Sequence, residues 1–409
     1  MNKHDVIIIG GGAAGFFTAI NVASSDPSLR VSILERGKEV LTKVRISGGG
    51  RCNVTHAEFV PKDLSENYPR GEKELLGPFH TFMTGDTIAW FEERGVELKI
   101  EEDGRMFPTS DSSQTIIDCF LKDSQDLGIS VLKNHSVQEF EYIGTSSHWK
   151  ISTTQGDFLC DDLVIATGSN PKVWKLLQSV GHTVSPAVPS LFTFNIKDNR
   201  IKDLMGLATE ASVEVMGTKL ASQGPLLITH WGMSGPGILK LSAWGAQELA
   251  ATKYNFDVKV NWLVHFSPED AMDALSELKI KFAKQSPHTY AQFELPKRLW
   301  QNLLLASSIS NDMKWADLNK VQLLSLSNEL TSGIFRVSGK STFKEEFVTA
   351  GGVDLKEVNF KTFASKVCEH LYFAGEVLNI DAITGGFNFQ NAWTGGYIVA
   401  QAIVNKKKL

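Results

Sequence analysis

A glycine pattern near the N-terminus, followed by one acidic residue, could bind an adenine dinucleotide. Gly10, Gly12 and Gly15 form G-x-G-x-x-G, and Glu35 follows them about 20 residues later, the spacing typical of such a site. Gly10 permits a tight turn, Gly12 leaves room for a pyrophosphate, and Gly15 permits close packing of a helix on a strand. The Glu35 carboxylate would accept hydrogen bonds from the adenosine ribose and repel a 2′-phosphate. This favours FAD or NAD over NADP.

A strand and a helix must position these residues. The apolar residues 6–9 predict a buried strand that runs directly into the glycines, and residues 16–24 resemble a helix. A second predicted strand, residues 31–34, ends at Glu35. The N-terminus of the helix would present free N–H groups and a positive dipole end to the phosphates. A βαβ turn without a ligand is the alternative, but strand, helix, spacing and acid agree on a nucleotide site.

A second glycine run favours FAD over NAD. Gly48 to Gly50 are flanked by Ser47, Arg51 and Asn53. The backbone of such a loop can lie against a flat ring, and its N–H groups can meet phosphate or ring oxygens. A mobile surface connection is the alternative interpretation.

Few residues offer acid–base chemistry at such a site. His230 lies in a glycine-rich block with Ser234 and is a candidate acid or base, although a lone histidine is more often structural. Arg105 could bind a substrate carboxylate or only form a salt bridge. Cys52 lies near the predicted flavin without a second cysteine beside it, so we interpret it as a packing residue rather than a redox group.

Composition narrows the class of protein. The chain has 409 residues, a length that suits two or three domains. Its residues are 42% hydrophobic and 21% charged, which is ordinary for a globular protein, and its net charge is −5. The charge gives no electrostatic argument for nucleic acid or an acidic membrane as a partner. No apolar run reaches the roughly 18–20 residues of a membrane span, and we expect no signal peptide. The four cysteines form no C-x-x-C pair, which disfavours a structural metal site and favours the cytoplasm.

The order of predicted elements indicates one domain interrupted by another. Residues 1–189 alternate strands and helices in α/β order, and residues 338–409 return to that order. Residues 190–337 predict a small β module that carries a helical segment. We therefore expect an insert that covers the flavin, with its glycine-rich block nearest to it and the substrate in the cleft beneath.

These blocks resemble a known family, the HI-type conserved flavoproteins, which are NAD(P)/FAD-dependent oxidoreductases. Its named members include enzymes similar to aminoacetone oxidase and bile-acid dehydro-reductases. The resemblance spans essentially the whole chain and is most specific in the S-G-G-G-R-C-N and G-E…T-G-G blocks. It rests on residues 10–15, 43–53, 104–108, 166–168, 229–236, 373–376 and 384–386.

The resemblance implies an α/β fold: a Rossmann-like FAD domain of the two-dinucleotide type, interrupted by a β-barrel-like and helical insert. Residues carried over by position would bind pyrophosphate at the first glycines, ribose at Glu35, adenine at the Val137 backbone and the ribityl chain near Asp381. His56, where asparagine is usual, departs from the family pattern, and so do Asn379, Ala382 and Phe387; the substrate of a named member is therefore not transferred. The implied cofactor-binding residues are Gly10, Gly12, Ala13, Ala14, Gly15, Glu35, Arg36, Lys43, Ser47, Gly48, Gly49, Gly50, Arg51, Cys52, Asn53, Val137, Ala166, Thr167, Gly168, Gly375, Glu376, Asp381, Gly385, Gly386, Phe387, Asn388, Phe389, Gln390 and Asn391.

The sequence therefore predicts a cytoplasmic FAD-dependent oxidoreductase that acts on a small organic substrate, with His230 and Arg105 as candidate catalytic residues. No second G-x-G-x-x-G is present, so NAD(P)H would bind transiently, and oxygen is the other candidate electron partner. A non-catalytic flavin-binding redox sensor or scaffold stays open as an alternative. A flavin-dependent RNA modifier is disfavoured by the acidic balance and by the lack of a basic stretch with interspersed aromatic residues.

Overall fold

A computed structural model describes residues 2–145, 148–342 and 348–407. The chain divides into two compact units, one formed by Met1–Val188 with Val348–Leu409 and the other by Pro189–Phe347. None of the helices in these described ranges is both long and apolar enough to cross a bilayer.

The first part of the chain alternates strands and helices. Its strands are β1 (Asn2–Ile9), β2 (Val31–Leu34), β3 (Thr55–His56), β4 (Leu98–Ile100), β5 (Arg105–Pro108), β6 (Ser130–Leu132), β7 (Val137–Ile143), β8 (His148–Thr153), β9 (Gly156–Ile165) and β10 (Val184–Ser190). Its helices are α1 (Ala13–Ser25), α2 (Thr42–Gly50), α3 (Pro61–Ser65), α4 (Glu72–Phe79), α5 (Thr84–Glu92), α6 (Ser113–Asp126) and α7 (Pro171–Ser179).

The middle part of the chain contains an antiparallel sheet and a helical segment. Its strands are β11 (Thr193–Asn195), β12 (Ala208–Val215), β13 (Ala221–Ile228), β14 (Gly232–Ser234), β15 (Asn255–Asn261), β16 (Gly333–Ser338) and β17 (Lys340–Ser341). Its helices are α8 (Pro236–Trp244), α9 (Ala246–Ala251), α10 (Pro268–Lys281), α11 (Lys297–Ala306) and α12 (Lys320–Thr331), with a 3-10 turn at Trp315–Asp317.

The last part of the chain returns to the first unit and ends in a long helix. It comprises β18 (Val348–Val353), a 3-10 turn at Leu355–Glu357, β19 (Val358–Asn359), β20 (Ala364–Ser365), β21 (Leu371–Phe373) and α13 (Phe387–Lys407).

A nine-stranded sheet forms the centre of the first unit, and its main order is β19-β20-β21-β9-β1-β2-β6. The strands from β21 to β6 pair in parallel, so their carboxyl ends lie at one edge. Val6, Ile7 and Ile8 are fully buried, as expected for a strand covered on both faces. The predicted α/β class with a Rossmann-like parallel core is confirmed. In such sheets ligands bind beyond the carboxyl ends of the strands.

Helices α1 and α13 pack closely in this unit. A Cβ on Gly396 would lie 2.9 Å from Thr18 Oγ1 and 3.3 Å from the Ala14 carbonyl oxygen, so a larger residue would force the two helices apart. This packing joins the first and last segments of the chain across a shared core.

The sheet of the second unit is antiparallel and closes on itself. Its order is β16-β15-β12-β13-β14-β11-β17, and the strands at its two ends are consecutive in sequence. Gly339 lies between them; its N–H donates to Tyr254 O at 2.8 Å and its carbonyl accepts from Asn195 N at 3.1 Å. Both edges are thereby joined at one residue, which makes the sheet barrel-like. Between β15 and β16 the chain forms α10, α11 and α12.

Candidate functional site

The lack of a side chain has different consequences at the three glycines of the first loop. A Cβ on Gly10 would lie 2.4 Å from Ala166 O, and a Cβ on Gly15 would lie 2.0 Å from Gly10 O. These two positions are therefore closed by the protein's own backbone. A Cβ on Gly12 would meet none of the described atoms within 4 Å. Gly12 thus borders open space, where the sequence places a pyrophosphate.

The N-terminus of α1 opens onto the same space. The helix begins at Ala13, Gly12 provides no side-chain cap, and the first turn contains no acidic residue. Its free N–H groups and positive dipole end are therefore available to an anion.

Glu35 braces the glycine loop. Its Oε2 accepts from the Gly11 N–H at 2.8 Å and its Oε1 accepts from the Gly37 N–H at 2.7 Å. Each carboxylate oxygen can accept a further hydrogen bond, so the ribose contact stays compatible with this geometry.

A cavity that is partly open to solvent lies at the carboxyl edge of the parallel sheet. It brings together predicted residues from distant parts of the chain: Gly10, Glu35, Arg36, Val137 and Thr167. The sequence pattern did not indicate its other lining residues, although Asn170 before Pro171 is a recognisable helix start. These are Ile9, Leu34, His135, Ser136, Asn170, Lys172 and Val173.

The second glycine run adopts left-handed backbone. Gly48, Gly49 and Gly50 have φ of 57°, 68° and 87°, which residues with a side chain rarely adopt. A Cβ on Gly49 or Gly50 would meet no described atom within 4 Å, so these two residues also border open space. Ser47 Oγ donates to Val44 O at 2.9 Å and does not point freely outward.

Two of the three predicted arginines, Arg51 and Arg105, belong to one ion-pair cluster. Arg51 pairs with Glu101, and its guanidinium lies 3.9 Å from the centroid of the Phe107 ring. Arg105 Nε donates to Asp103 Oδ2 at 2.7 Å, and its second nitrogen lies 3.3 Å from Glu101 Oε2. The cluster fastens the second glycine run to the β4–β5 hairpin. For Arg105, the described contacts are those of a salt bridge.

Cys52 is a buried thiol at the end of this loop. It is fully buried with φ of 63°, and burial raises the pKa of its thiol to about 12, against the smaller opposing effect of a hydrogen bond with Ser47. This agrees with a packing role rather than a nucleophilic one.

We expect Cys52 to resist alkylation in the folded protein. With a pKa of about 12, only about one part in ten thousand is thiolate at pH 8, and that fraction rises tenfold per pH unit. Iodoacetamide labelling followed by peptide mass spectrometry checks this, with urea-unfolded protein as the control in which all four cysteines react. Rapid labelling of Cys52 in folded protein would contradict it.

The T-G-G block closes against β3. Gly385 and Gly386 have φ of 132° and 96°, and a Cβ on Gly386 would lie 2.5 Å from Thr55 O. In the orientation that satisfies both partners, the Asn53 amide nitrogen donates to Thr55 O and its oxygen accepts from Gly386 N, at 3.0 Å each. The S-G-G-G-R-C-N block and the T-G-G block, which were predicted separately, are therefore hydrogen-bonded to each other.

His56 lies at this junction. The Gly385 carbonyl accepts from its Nδ1 at 3.0 Å, so Nδ1 carries the proton, and its ring stacks on Phe387 with centroids 4.5 Å apart. The register of β3 with β5 also sets His56 opposite Arg105. The sequence marked His56 only as a departure from the family pattern, yet it is a titratable side chain in contact with the T-G-G block.

The first turn of α13 contains buried amides. Gln390 Oε1 accepts from Thr55 Oγ1 at 2.6 Å and from Thr87 Oγ1 at 3.0 Å. Neither polar atom of the fully buried Asn391 amide has a hydrogen-bond partner in the part of the chain that the structure describes. Of the other predicted residues here, Asn388 Oδ1 accepts from Ala382 N at 3.0 Å, and Phe389 stacks on Trp393. An unpaired buried amide is costly, which points to a polar group that Asn391 would bind.

The G-E block lies over the first glycine loop. A Cβ on Gly375, whose φ is 74°, would lie 3.1 Å from the Ala14 Cβ. Glu376 Oε2 accepts from Lys43 Nζ at 2.5 Å. A Cβ on Gly168 would lie 3.6 Å from that carboxylate oxygen, so residues from four distant segments meet here.

Asp381 forms an ion pair with Arg70, a residue that the sequence pattern did not indicate. Its side chain is fully buried and forms a two-pronged ion pair with Arg70, which is itself 13% exposed. The two residues are also bridged through their backbones. Any contact of Asp381 with a ribityl chain would add to this pair.

His230 lies in the second unit and is exposed in the turn between β13 and β14. Glycines near it are required by the sheet itself, since a Cβ on Gly232 would lie 2.3 Å from Phe194 O and one on Gly235 would lie 2.8 Å from Leu227 N. Ser234 is buried, and its Oγ accepts from Thr193 Oγ1 at 2.9 Å. The block therefore has a structural explanation, and the catalytic role of His230 stays a prediction.

The first unit fits an adenine dinucleotide cofactor. Open space at Gly12, Gly49 and Gly50, an uncapped helix N-terminus and the orphaned amide of Asn391 are the features that such a group would fill or pair. Within the described ranges, no group of three or more His, Cys, Asp or Glu side chains could hold a metal ion.

The chain is similar to known proteins over nearly its whole length. The family model described as HI0933-like protein Rossmann domain matches residues 4–402. The chain is 28% identical over 410 residues to a ribosomal RNA dihydrouridine synthase of Haemophilus influenzae, covering 97% of this chain and 98% of that protein. It is 27% identical over 411 residues to a 3-dehydro-bile acid delta(4,6)-reductase of Clostridium scindens, covering 98% of each.

A solved structure shares the fold. The 3-ketosteroid delta1-dehydrogenase of Sterolibacterium denitrificans superposes with a TM-score of 0.52 at 11% identity, covering 99% of this chain and 100% of that one. At this identity the likeness concerns the fold alone.

Proposed function

The chain belongs to the HI0933-like family, and on this premise we propose that it is a FAD-dependent oxidoreductase that reduces a carbon–carbon double bond conjugated to a carbonyl group. The observation that carries the proposal is what two relatives, each matched over almost its full length, share. Dihydrouridine is uridine whose ring double bond, conjugated to a carbonyl, has been saturated. A delta(4,6)-reductase of a 3-dehydro-bile acid likewise removes unsaturation conjugated to a ketone. The predicted membership of a flavoprotein family is confirmed by the family match.

FAD, rather than a flavin without adenosine, is supported by the two ends of the site. The cavity at Glu35 and Val137 suits an adenosine group, and the uncapped α1 N-terminus suits a pyrophosphate. When bound, FAD supplies a hydride acceptor and donor. The chain itself would bind the phosphates at Gly12 and border the ring with the residues around Gly49 and Gly386. The Asn391 amide would form hydrogen bonds with a polar group of the cofactor.

A proton must reach the carbon atom that does not receive the hydride. His56 contacts the T-G-G block through Gly385 and Phe387 and has a second ring nitrogen free of that hydrogen bond. We therefore add His56 to the candidates His230 and Arg105. Each of the three residues is replaced by alanine in the assay below. If the residue is catalytic, its alanine variant should reduce the substrate more slowly while its FAD content stays unchanged.

We propose a uracil base in RNA as the substrate, and a steroid-like enone as the second candidate. The Haemophilus influenzae relative supports the first substrate and the Clostridium scindens relative supports the second. Either reduction consumes electrons, so NAD(P)H is the electron partner that the proposal requires, and oxygen would only compete for them.

The test is anaerobic turnover of the flavin-loaded protein. The protein is reduced with NADH or NADPH and mixed either with uridine-containing RNA or with a 3-keto-4-ene steroid. We expect reoxidation of the flavin by one of them, with a gain of two hydrogen atoms in the product by mass spectrometry. A flavin that is reduced but is reoxidised only by air would instead support the oxidase or sensor alternatives.

A further inference from the structure

Five lysines of the second unit lie at one end of its helical segment. Lys279 and Lys281 are in the last turn of α10 and Lys320 begins α12. The last turn of α10 meets the chain just before α12, because Lys279 Nζ donates to Leu318 O. The antiparallel course of α10 and α12 agrees with this, since Ser327 Oγ donates to Pro268 O at their other ends.

The other two lysines join this group through backbone hydrogen bonds. Trp315 N donates to Gln285 O at 2.9 Å, and Ala316 N donates to Ala283 O at 3.0 Å. These bonds flank Lys284 and set it beside the turn that follows Lys314. We call Lys279, Lys281, Lys284, Lys314 and Lys320 the lysine cluster.

The lysine cluster is not neutralised by carboxylates. Among the residues that the structure describes, none of its members forms an ion pair, whereas Arg200, Lys259 and Arg336 elsewhere in this unit all do. Residues 279–320 contain seven Lys and Arg against three Asp and Glu. Asp317, three positions from both Lys314 and Lys320, accepts the backbone N–H of Lys314 at 3.1 Å as a cap, and Asp312 accepts from Ser310 Oγ at 2.5 Å.

The N-terminus of α12 adds to the positive potential of the cluster. The N-terminus of α12 lies in the cluster, its first turn contains no acidic residue, and its capping box uses the neutral Gln322 rather than a glutamate. The positive end of that helix dipole is therefore not offset by a side-chain charge. Lys279 and Lys281 oppose the negative end of α10.

We propose that the lysine cluster is a docking surface for the phosphate backbone of RNA. The inference rests on the proposed function, in which the substrate is a base in RNA. Lysines that form no ion pair among the described residues and lie at one end of the helical segment, beside an uncompensated helix N-terminus, are the chemistry that binds phosphates without reading sequence. The overall charge of −5 conceals this surface because acidic residues elsewhere outweigh it.

An anionic membrane is the competing partner. Ile280 and Val321 are 81% and 75% exposed within the cluster, and apolar residues among lysines also occur on membrane-binding surfaces. The proposed substrate favours RNA, and vesicle binding is therefore an outcome that the experiment must include.

The test measures binding of a fluorescein-labelled RNA hairpin to the flavin-loaded protein by anisotropy over a series of salt concentrations. The cluster variant changes all five lysines to glutamine. We expect its affinity to fall by about tenfold or more, and its salt dependence to become shallower by about one unit of slope for each lysine that contacts a phosphate.

The matched control changes five other lysines of the same unit to glutamine: Lys197, Lys202, Lys219, Lys240 and Lys253. It removes the same charge, so an equal loss in both variants would overturn a localised surface. Absence of RNA binding by the parent protein would also overturn it. The proposal would also be overturned if the cluster variant no longer bound anionic phospholipid vesicles while its RNA affinity was unchanged.

Dihydrouridine formation in the same preparations separates this surface from the proposed function. If RNA binding depends on the cluster but no dihydrouridine forms, the reaction is wrong and the surface stands. If the cluster variant binds RNA and forms dihydrouridine as the parent does, the surface is wrong and the reaction stands.

Discussion

Gly12→Val is expected to abolish FAD retention while leaving the first unit folded. The backbone of Gly12 has φ of −97°, which valine adopts readily, and an added Cβ meets none of the described atoms within 4 Å. The folded protein should therefore lose only about 1 kcal/mol in stability, the cost of placing valine at the N-cap of α1. The side chain would instead occupy the space beside the α1 N-terminus, where the pyrophosphate must approach the backbone. Flavin absorbance after desalting and the circular dichroism spectrum provide the two measurements.

Gly15→Val is the matched control for this prediction. Its Cβ would lie 2.0 Å from Gly10 O, so the strand and the helix would have to separate. Overpacking of this kind costs about 1–3 kcal/mol or more, so this variant should lose stability together with FAD. Normal flavin content in Gly12→Val would show that the pyrophosphate lies elsewhere.

Arg70→Met is expected to destabilise the first unit by about 3–5 kcal/mol. The Asp381 carboxylate is fully buried, and removal of Arg70 breaks the two-pronged ion pair that this buried charge forms. This is a large part of the roughly 5–15 kcal/mol that holds a typical domain folded. Because the chain has two units, hydrogen–deuterium exchange of peptides from the first unit in increasing urea is the suitable measurement.

Two further variants test the cause of that loss. Arg70→Met combined with Asp381→Leu removes both charges, and we expect it to recover much of the stability because apolar residues replace a buried ion pair at little cost. Lys62→Met breaks the exposed Lys62–Glu66 pair, with side chains 76% and 54% exposed, and should change stability by about 0–1 kcal/mol. Equal effects of Arg70→Met and Lys62→Met would contradict the argument.

The elements that flank the cofactor site were predictable because their signals are local. An apolar run, a glycine turn and an acid at fixed spacing specify β1, α1 and β2 through backbone sterics and burial alone. A local signal also marks the start of α10, where Ser267 and Asp270 form a capping box ahead of Pro268 at the first helical position. The α/β class and the family followed from such local blocks, and both are confirmed.

The partners of several site residues could not be predicted in this way. Arg70 and Asp381 lie 311 positions apart, and Lys43 and Glu376 lie 333 apart, so no window of sequence contains both members. His56 is a second example, since only the pairing of distant segments sets it against Gly385. A charge becomes a partner only when the chain brings it within a few ångströms, which depends on the packing of the whole unit.

That nucleic acid is not a partner stays a prediction, and it rested on the charge pattern along the chain. The sequence offered no continuous basic stretch, and its net charge of −5 argued against RNA. The lysine cluster arises because α10 and α12 run antiparallel and bring together lysines that lie up to 41 positions apart. By itself the sequence determined the local backbone of the nucleotide site, because sterics and apolar periodicity act between near neighbours. The tertiary structure alone decided which charges face each other and which face solvent, because electrostatic interactions depend on distance in space and not on distance along the chain.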